Sequence, residues 1–226
     1  MNKREYTLSN RTCYLYRDTE AAQLLVQPVD EHDLDALDQE VETIRSLTDQ
    51  PFSLVAFMIT DWNQELTPWP APPVFGKTPF GDGAPATLDF ILKRLLPETQ
   101  EQESRVILGG YSLAGLFALW AAYQTDRFEG IVAASPSVWY PKWIDYASAN
   151  SAHASSIYLS LGDKEEKAKN QVMAQVGSAI RRQHELLAGQ MNNTILEWNP
   201  GNHFVDSAKR TAQGFAWVMD AAHQFT

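Results

Sequence analysis

Short apolar runs alternate along the chain with longer stretches whose apolar positions recur at helical spacing. Strands are predicted at 12–17, 23–29, 53–59, 105–110, 130–134, 156–161 and 193–198. Helices are predicted between most of them, at 33–47, 86–96, 113–124, 170–188 and 207–222. Alternation of this kind implies a three-layer α/β sandwich, a mostly parallel central sheet with helices on both faces. The first two strands have no helix between them and are expected to form an antiparallel edge. The proline-rich stretch Thr67-Pro68-Trp69-Pro70-Ala71-Pro72-Pro73 reads as a rigid surface loop inside the domain, because apolar strands flank it. No repeat or linker interrupts the pattern, so residues 1–226 are expected to form one domain. In such a sheet ligands bind at the carboxyl ends of the strands, and the loops there are where chemistry is sought.

Composition narrows the picture. A net charge of −10 disfavours nucleic acid and anionic membranes, and the largest basic cluster is the pair Arg181-Arg182. No apolar run is long enough to span a bilayer, and Met1-Asn2-Lys3-Arg4-Glu5-Tyr6 does not lead into a signal-peptide core. With one cysteine, Cys13, an internal disulfide is impossible, and a cytoplasmic location is expected. Cys13 lies in a strand-like stretch, where a packed thiol is expected. The acidic run Asp30-Glu31-His32-Asp33-Leu34-Asp35 lacks the glycine and spacing of a calcium loop and reads as the solvated start of an amphipathic helix. No Cys or His cluster has metal-ligand spacing, so neither metal nor organic cofactor is implied.

The chemistry concentrates at Gly109-Gly110-Tyr111-Ser112-Leu113-Ala114-Gly115, between the apolar strand 105–110 and the apolar helix 113–124. A strand, a tight turn carrying a serine and a helix make a nucleophile elbow, here in the form Gly-x-Ser-x-Ala. The strained turn needs small residues two positions before and after the serine, and Gly110 and Ala114 supply them. The helix dipole and the Leu113 amide can then stabilise an oxyanion. Competing glycine motifs fail. A Walker A loop ending at Gly76-Lys77-Thr78 would need glycine where Ala71 stands, and Tyr111 occupies the second-glycine place of a dinucleotide fingerprint.

A serine hydroxyl needs a base, and the base needs an orienting acid. Of the five histidines, only His203 directly follows a strand on the expected side, in Asn199-Pro200-Gly201-Asn202-His203-Phe204. His32 precedes a helix, His153 sits in a polar turn before a strand, His184 lies within a helix and His223 ends the last one. The acid should follow the preceding strand, where Asp163, Glu165 and Glu166 compete. The order serine, acid, histidine is that of the α/β hydrolases.

These residues resemble the putative-esterase branch of the α/β hydrolases, which holds esterase D-like and enterochelin-esterase-like serine esterases. The pieces that carry the resemblance are Gly109–Gly115, Ala134-Ser135-Pro136-Ser137-Val138-Trp139-Tyr140, Leu161-Gly162-Asp163-Lys164-Glu165-Glu166 and Gly201-Asn202-His203. They span the last half of the chain. The resemblance implies an α/β-hydrolase fold and places the acid in Gly-x-x-[Asp/Glu], which selects Glu165 with Asp163 as the alternative. Many members carry a His-Gly-Gly segment after the third strand. This chain has Thr60-Asp61-Trp62-Asn63-Gln64 there, so the second oxyanion amide is expected near Asp61 or Trp62.

Trp62, Trp69 and Trp139 lie on loops expected to overhang Ser112, and with Tyr111 they are the candidate substrate-binding residues. Trp143 could equally pin a loop onto the sheet, and Trp120 and Trp217 read as packing residues. The expected activity is hydrolysis of a small-molecule carboxylic ester through an acyl-enzyme on Ser112. Alternatives on the same site are a thioesterase, an acyltransferase or a siderophore-lactone hydrolase. The remaining alternative is a silent hydrolase fold that only binds.

Overall fold

The computed structural model describes residues 1–100, 104–190 and 192–221. The expected positions Ala222 and His223 lie outside them. Eight strands form one sheet in the order β1-β2-β4-β3-β5-β6-β7-β8. They are β1 (Asn2–Leu8), β2 (Arg11–Arg17), β3 (Gln23–Val29), β4 (Phe52–Met58), β5 (Arg105–Tyr111), β6 (Gly130–Ala134), β7 (Ser156–Gly162) and β8 (Asn193–Asn199). From β4 through β8 each neighbouring pair is parallel, whereas β1–β2 and β2–β4 are antiparallel.

The antiparallel edge differs from the expected one. The strands at 11–17 and 23–29 are not neighbours, because β4 lies between them and pairs with both. The edge partner of β2 is β1, which the pattern did not predict. Its residues are largely exposed and polar, with Lys3, Arg4 and Glu5 charged, as suits an edge strand. The hairpin closes at Ser9-Asn10, where both residues have positive φ, 49° and 65°. That is the twist-matched two-residue turn that favours asparagine.

Side chains alternate across the sheet with period two, and each face packs on its own helices. Leu25 and Val29 of β3, Leu54 and Ala56 of β4 and Val132 of β6 meet α1 (Glu31–Leu47) and α8 (Ser207–Ala221). Leu24, Val26, Val55, Val106, Ile131 and Ile157 point to the other face, toward α3 (Ala84–Phe90), α4 (Leu96–Thr99), α5 (Leu113–Gln124), α6 (Trp143–Ala149) and α7 (Val176–Gly189). The short α2 (Trp62–Glu65) follows β4. Helix α5 is apolar on all sides, and eleven of its twelve residues are buried, so it is the inner helix of this layer.

The acidic run does begin a helix. Asp30 caps α1 by accepting from the His32 and Asp33 amides, and the Asp33 side chain accepts from the Asp30 amide in return. The helix expected at 86–96 is broken by a wider π turn over Ile91–Leu95. Pro97 has no N–H to offer the carbonyl four residues back, so the ladder cannot stay in α register there. Cys13 is fully buried, and burial pushes its thiol up to about 11, as suits a packed side chain. Among the described residues no helix is long and apolar enough to cross a membrane.

Candidate active site

The β5–α5 turn is strained where the motif predicts it. Ser112 has φ 59° and ψ −120°, a conformation that L side chains rarely adopt and that tends to mark functional turns. Its amide donates to the Ala134 carbonyl of β6 at 3.1 Å, and its own carbonyl accepts from the Leu116 and Ser137 amides. A Cβ on Gly110 would stand 2.5 Å from the Ala114 Cβ, which explains the small residues on either side of the serine.

His203 comes from the loop after β8, at the same end of the sheet. Its Nε2 lies 3.0 Å from Ser112 Oγ and its Nδ1 lies 2.8 Å from Glu165 Oε2. Glu165 opens a short 3-10 turn, Glu165–Lys167, in the loop that follows β7. It is 6% exposed, and its Oε1 accepts from the Ser135 hydroxyl at 2.7 Å, the Gly162 amide at 2.8 Å and Arg210 Nη1 at 3.1 Å. Burial alone would raise this carboxyl. The hydrogen bond and charge of His203, with Ser135 and Gly162, outweigh burial and hold it below the usual carboxylate range.

The competing carboxylates are placed elsewhere. Asp163 Oδ1 accepts from the Gly201 amide at 2.8 Å, tying the β7 and β8 loops together, and Glu166 pairs with Arg181 at 3.0 Å.

The aromatic residues divide. A cleft of about 470 Å³ opens beside His203 and Glu165, lined by Trp139, Met173, Val176, Ala168, Phe204 and the lysines Lys164 and Lys167. Trp139 is therefore at the cleft, whereas Trp62, Trp69 and Tyr111 are not among its lining residues. The Trp69 indole N–H donates to the Pro141 carbonyl at 2.9 Å, and the Tyr140 hydroxyl donates to the Trp69 carbonyl at 2.5 Å. Trp69 thus clasps the loop after β4 to the loop after β6. Trp143 is fully buried and donates to Gln183 at 2.9 Å, a packing role.

Tyr111 points into the framework behind the histidine. Its hydroxyl donates to the His203 carbonyl at 2.8 Å and accepts from Arg210 Nη1 at 3.0 Å. Burial pushes its phenol up to about 12, so it stays protonated and able to donate.

The two backbone segments expected to supply the oxyanion amides differ in their hydrogen bonding. Leu113 is the first residue of α5, where an amide has no intrahelical acceptor. After β4, the Thr60 and Asp61 amides donate to Glu65 Oε1 at 2.8 and 2.9 Å, and Glu65 is fastened by an ion pair to Arg11. The next amide along the chain is that of Trp62, at the N-terminus of α2.

The pattern reading passed over Arg210 and Ser135. Ser135 has φ 42° at the end of β6, and its hydroxyl faces Glu165. Arg210 lies on α8 at four- and eight-residue intervals from the buried Gly214 and Val218. An arginine inside an apolar helical stripe was the available signal.

The family described as "Putative esterase" matches residues 42–222, about four-fifths of the chain. No curated protein matches the sequence closely enough to count as a relative. Among solved structures, the chain is similar to an IroE-like serine hydrolase from Shewanella oneidensis, with a TM-score of 0.77 at 18% identity over 96% of this chain and 79% of that one. It is similar to the siderophore hydrolase EstB from Aspergillus nidulans, with a TM-score of 0.73 at 19% identity over 95% and 93%. It is also similar to the enterobactin esterase FES from Shigella flexneri, with a TM-score of 0.71 at 18% identity over 98% of this chain but 60% of that one. The fold, the elbow and the family match agree: the chain belongs to the putative-esterase family and is a carboxylic-ester hydrolase of the α/β-hydrolase type.

Proposed function

We propose that the chain cleaves its ester through an acyl-enzyme on Ser112, with His203 as base and Glu165 as the acid that orients it. The observation that carries this reading is the unbroken hydrogen-bonded row from Ser112 Oγ through the imidazole to Glu165, at 3.0 and 2.8 Å. Ser112 attacks the ester carbonyl and passes its proton to His203 Nε2. The Leu113 amide and the Trp62 amide receive the oxyanion. His203 then protonates the leaving alcohol, and water hydrolyses the acyl-enzyme by the same route. The imidazolium that forms in each half-reaction faces a buried carboxylate that is already ionised, so no protein reorganisation is needed to stabilise it.

A fluorophosphonate probe tests the assignment. One equivalent is expected to label the wild-type protein, and none the Ser112→Ala variant. His203→Ala is expected to label far more slowly. Labelling that survives Ser112→Ala would place the nucleophile on another serine, and an unlabelled wild type would remove the serine acyl-enzyme.

The cleft favours a bulky substrate. Trp139, Met173, Val176 and Phe204 offer an apolar and aromatic wall, and Lys164 and Lys167 line the same space in a chain of net charge −10. We therefore read the substrate as an ester with an aromatic or apolar body and an anionic group, a description that admits the siderophore esters named for the similar structures. Lys164→Glu and Lys167→Glu are each expected to lower kcat/KM for a carboxylate-bearing aryl ester by about two- to fivefold. A neutral aryl ester of the same size serves as the control and should be little affected. Equal losses on both substrates would remove the charge preference. The buried Cys13 thiol and the absence of any other cysteine suit a reducing, cytoplasmic setting.

A further inference from the structure

Arg210 is 1% exposed, and a guanidinium so deeply buried needs a compensating charge and partners for its N–H groups. It has both. Nη1 donates to Glu165 Oε1 at 3.1 Å, the Ser135 hydroxyl oxygen at 3.2 Å and the Tyr111 hydroxyl oxygen at 3.0 Å. Nη2 donates to the carbonyls of Pro200 and Asn202 at 3.0 and 3.1 Å. These five acceptors come from four separate segments: the strand that ends at the elbow, the end of β6, the acid turn after β7 and the loop that carries His203. Tyr111 closes the circuit by donating to the His203 carbonyl at 2.8 Å.

We propose that Arg210 is a positioning residue for the esterase reaction, fixing the Glu165 carboxylate and the His203 loop relative to each other and to the Ser112 turn. This rests on the reading of Ser112, His203 and Glu165 as the reacting row. Two properties follow from the geometry. The planar fork holds two loop carbonyls on one nitrogen and the acid on the other, which a single ammonium cannot reproduce. The charge also offsets that of Glu165 on the side away from the imidazole. Without it the Glu165 charge beside the imidazole is unopposed on that side. The other titratable or charged groups facing this cluster are Tyr111 against Arg210, and Lys164 and Lys167, which line the cleft with His203.

The test compares Arg210→Gln, Arg210→Lys and Tyr111→Phe with wild type on p-nitrophenyl butyrate, from about pH 5 to about pH 9, with thermal melts alongside. Arg210→Gln is expected to lower kcat about 100-fold with KM changed less than about threefold. The acid limb of its kcat/KM profile is expected to move to higher pH. Arg210→Lys keeps the charge and loses the fork, so kcat is expected to fall about tenfold while the limb stays in place. Tyr111→Phe is expected to lower kcat about tenfold at unchanged KM. If Arg210→Gln does not fold, the other two variants decide. A tenfold kcat loss at constant KM supports the role, and wild-type kcat in both overturns it. If all three melt lower but keep wild-type kcat and pH profile, Arg210 is only a brace. Activity that survives Ser112→Ala would instead remove the reacting row itself. A dead Ser112→Ala beside unimpaired Arg210 and Tyr111 variants would remove only the role of Arg210.

Discussion

Glu165→Gln is expected to lower kcat by about 10⁴-fold with KM nearly unchanged, and to lower stability because the buried Arg210 loses its counter-charge. The reason lies in what surrounds the carboxylate. Three donors converge on Oε1: the Ser135 hydroxyl, the Gly162 amide and Arg210 Nη1. They fix the oxygen of a glutamine at that place, because an amide nitrogen there would face donors only. The new NH₂ is then forced onto His203 Nδ1, where it donates. The imidazole must carry its proton on Nε2, the atom 3.0 Å from Ser112 Oγ, and can no longer accept the serine proton. His203→Ala removes the base outright and is expected to cost on the order of 10⁶-fold in kcat. Controls come from the same turn. Asp163→Asn still offers an oxygen to the Gly201 amide, and Glu166→Gln alters an ion pair with Arg181 that is half exposed. Both are expected to stay within about threefold of wild type. Steady-state kinetics on one aryl ester reads all four variants, and a fall in Asp163→Asn as deep as that in Glu165→Gln would transfer the acid role to Asp163.

Why spacing alone could not pick the carboxylate that meets His203 is visible in this geometry. Asp163, Glu165 and Glu166 lie within four residues, and the loop after β7 with its short 3-10 turn sends them in three directions: one to the β8 loop, one to His203 and one to Arg181. That turn depends on tertiary contacts that no local periodicity encodes. The serine was legible because its constraint is local. A turn at φ 59° needs small neighbours, and Gly110 and Ala114 are adjacent in sequence. His203 was legible from topology, since a parallel sheet brings all strand ends to one side. The tryptophans were harder. Trp69 and Trp139 look alike as loop aromatics, yet Trp69 has its indole N–H occupied by Pro141 while Trp139 lines the cleft. In the fold, the parallel core followed from continuous apolar runs. The edge strand β1 did not, because an exposed strand carries polar residues on most positions. Arg210 was hidden for a similar reason: next to Lys209 it reads as a solvated helix face, and only the buried Gly214 and Val218 on its stripe reveal otherwise.

Glu40→Gln is expected to stabilise the protein by an amount that grows from less than about 1 kcal/mol at pH 5 to about 5 kcal/mol at pH 8 and above. Glu40 sits on α1 facing the sheet and is 4% exposed. Burial pushes its carboxyl up to about 8 from the ordinary 4.5, the Asp33 charge adds to the rise, and a hydrogen bond from Gln27 of β3 offsets part of it. Asp33 is itself pushed up to about 6, chiefly by burial, so the two acids share one poorly solvated region. A carboxyl raised in the folded state stabilises the fold only where the unfolded chain is also protonated. From about pH 4.5 upward the unfolded glutamate ionises while the folded one does not, and stability is lost until the folded group ionises near pH 8. At about 1.4 kcal/mol per unit, the interval from 4.5 to about 8 gives the 5 kcal/mol limit. Glutamine mimics the neutral acid in shape and brings an NH₂ donor to a region where Gln27 Oε1 and Glu40 Oε1 lack a partner among the described residues. For a chain of this length the gain at pH 8 amounts to a rise in Tm of roughly 10 °C or more. Unfolding of both proteins in urea, at about pH 5 and about pH 8, measures the difference. A stability gap that is the same at both pH values would mean that Glu40 is ionised in the folded state and that its burial has been met some other way. Because Glu40 belongs to the contact between α1 and β3 and not to the loops at the strand ends, kcat of the variant is expected to match wild type throughout.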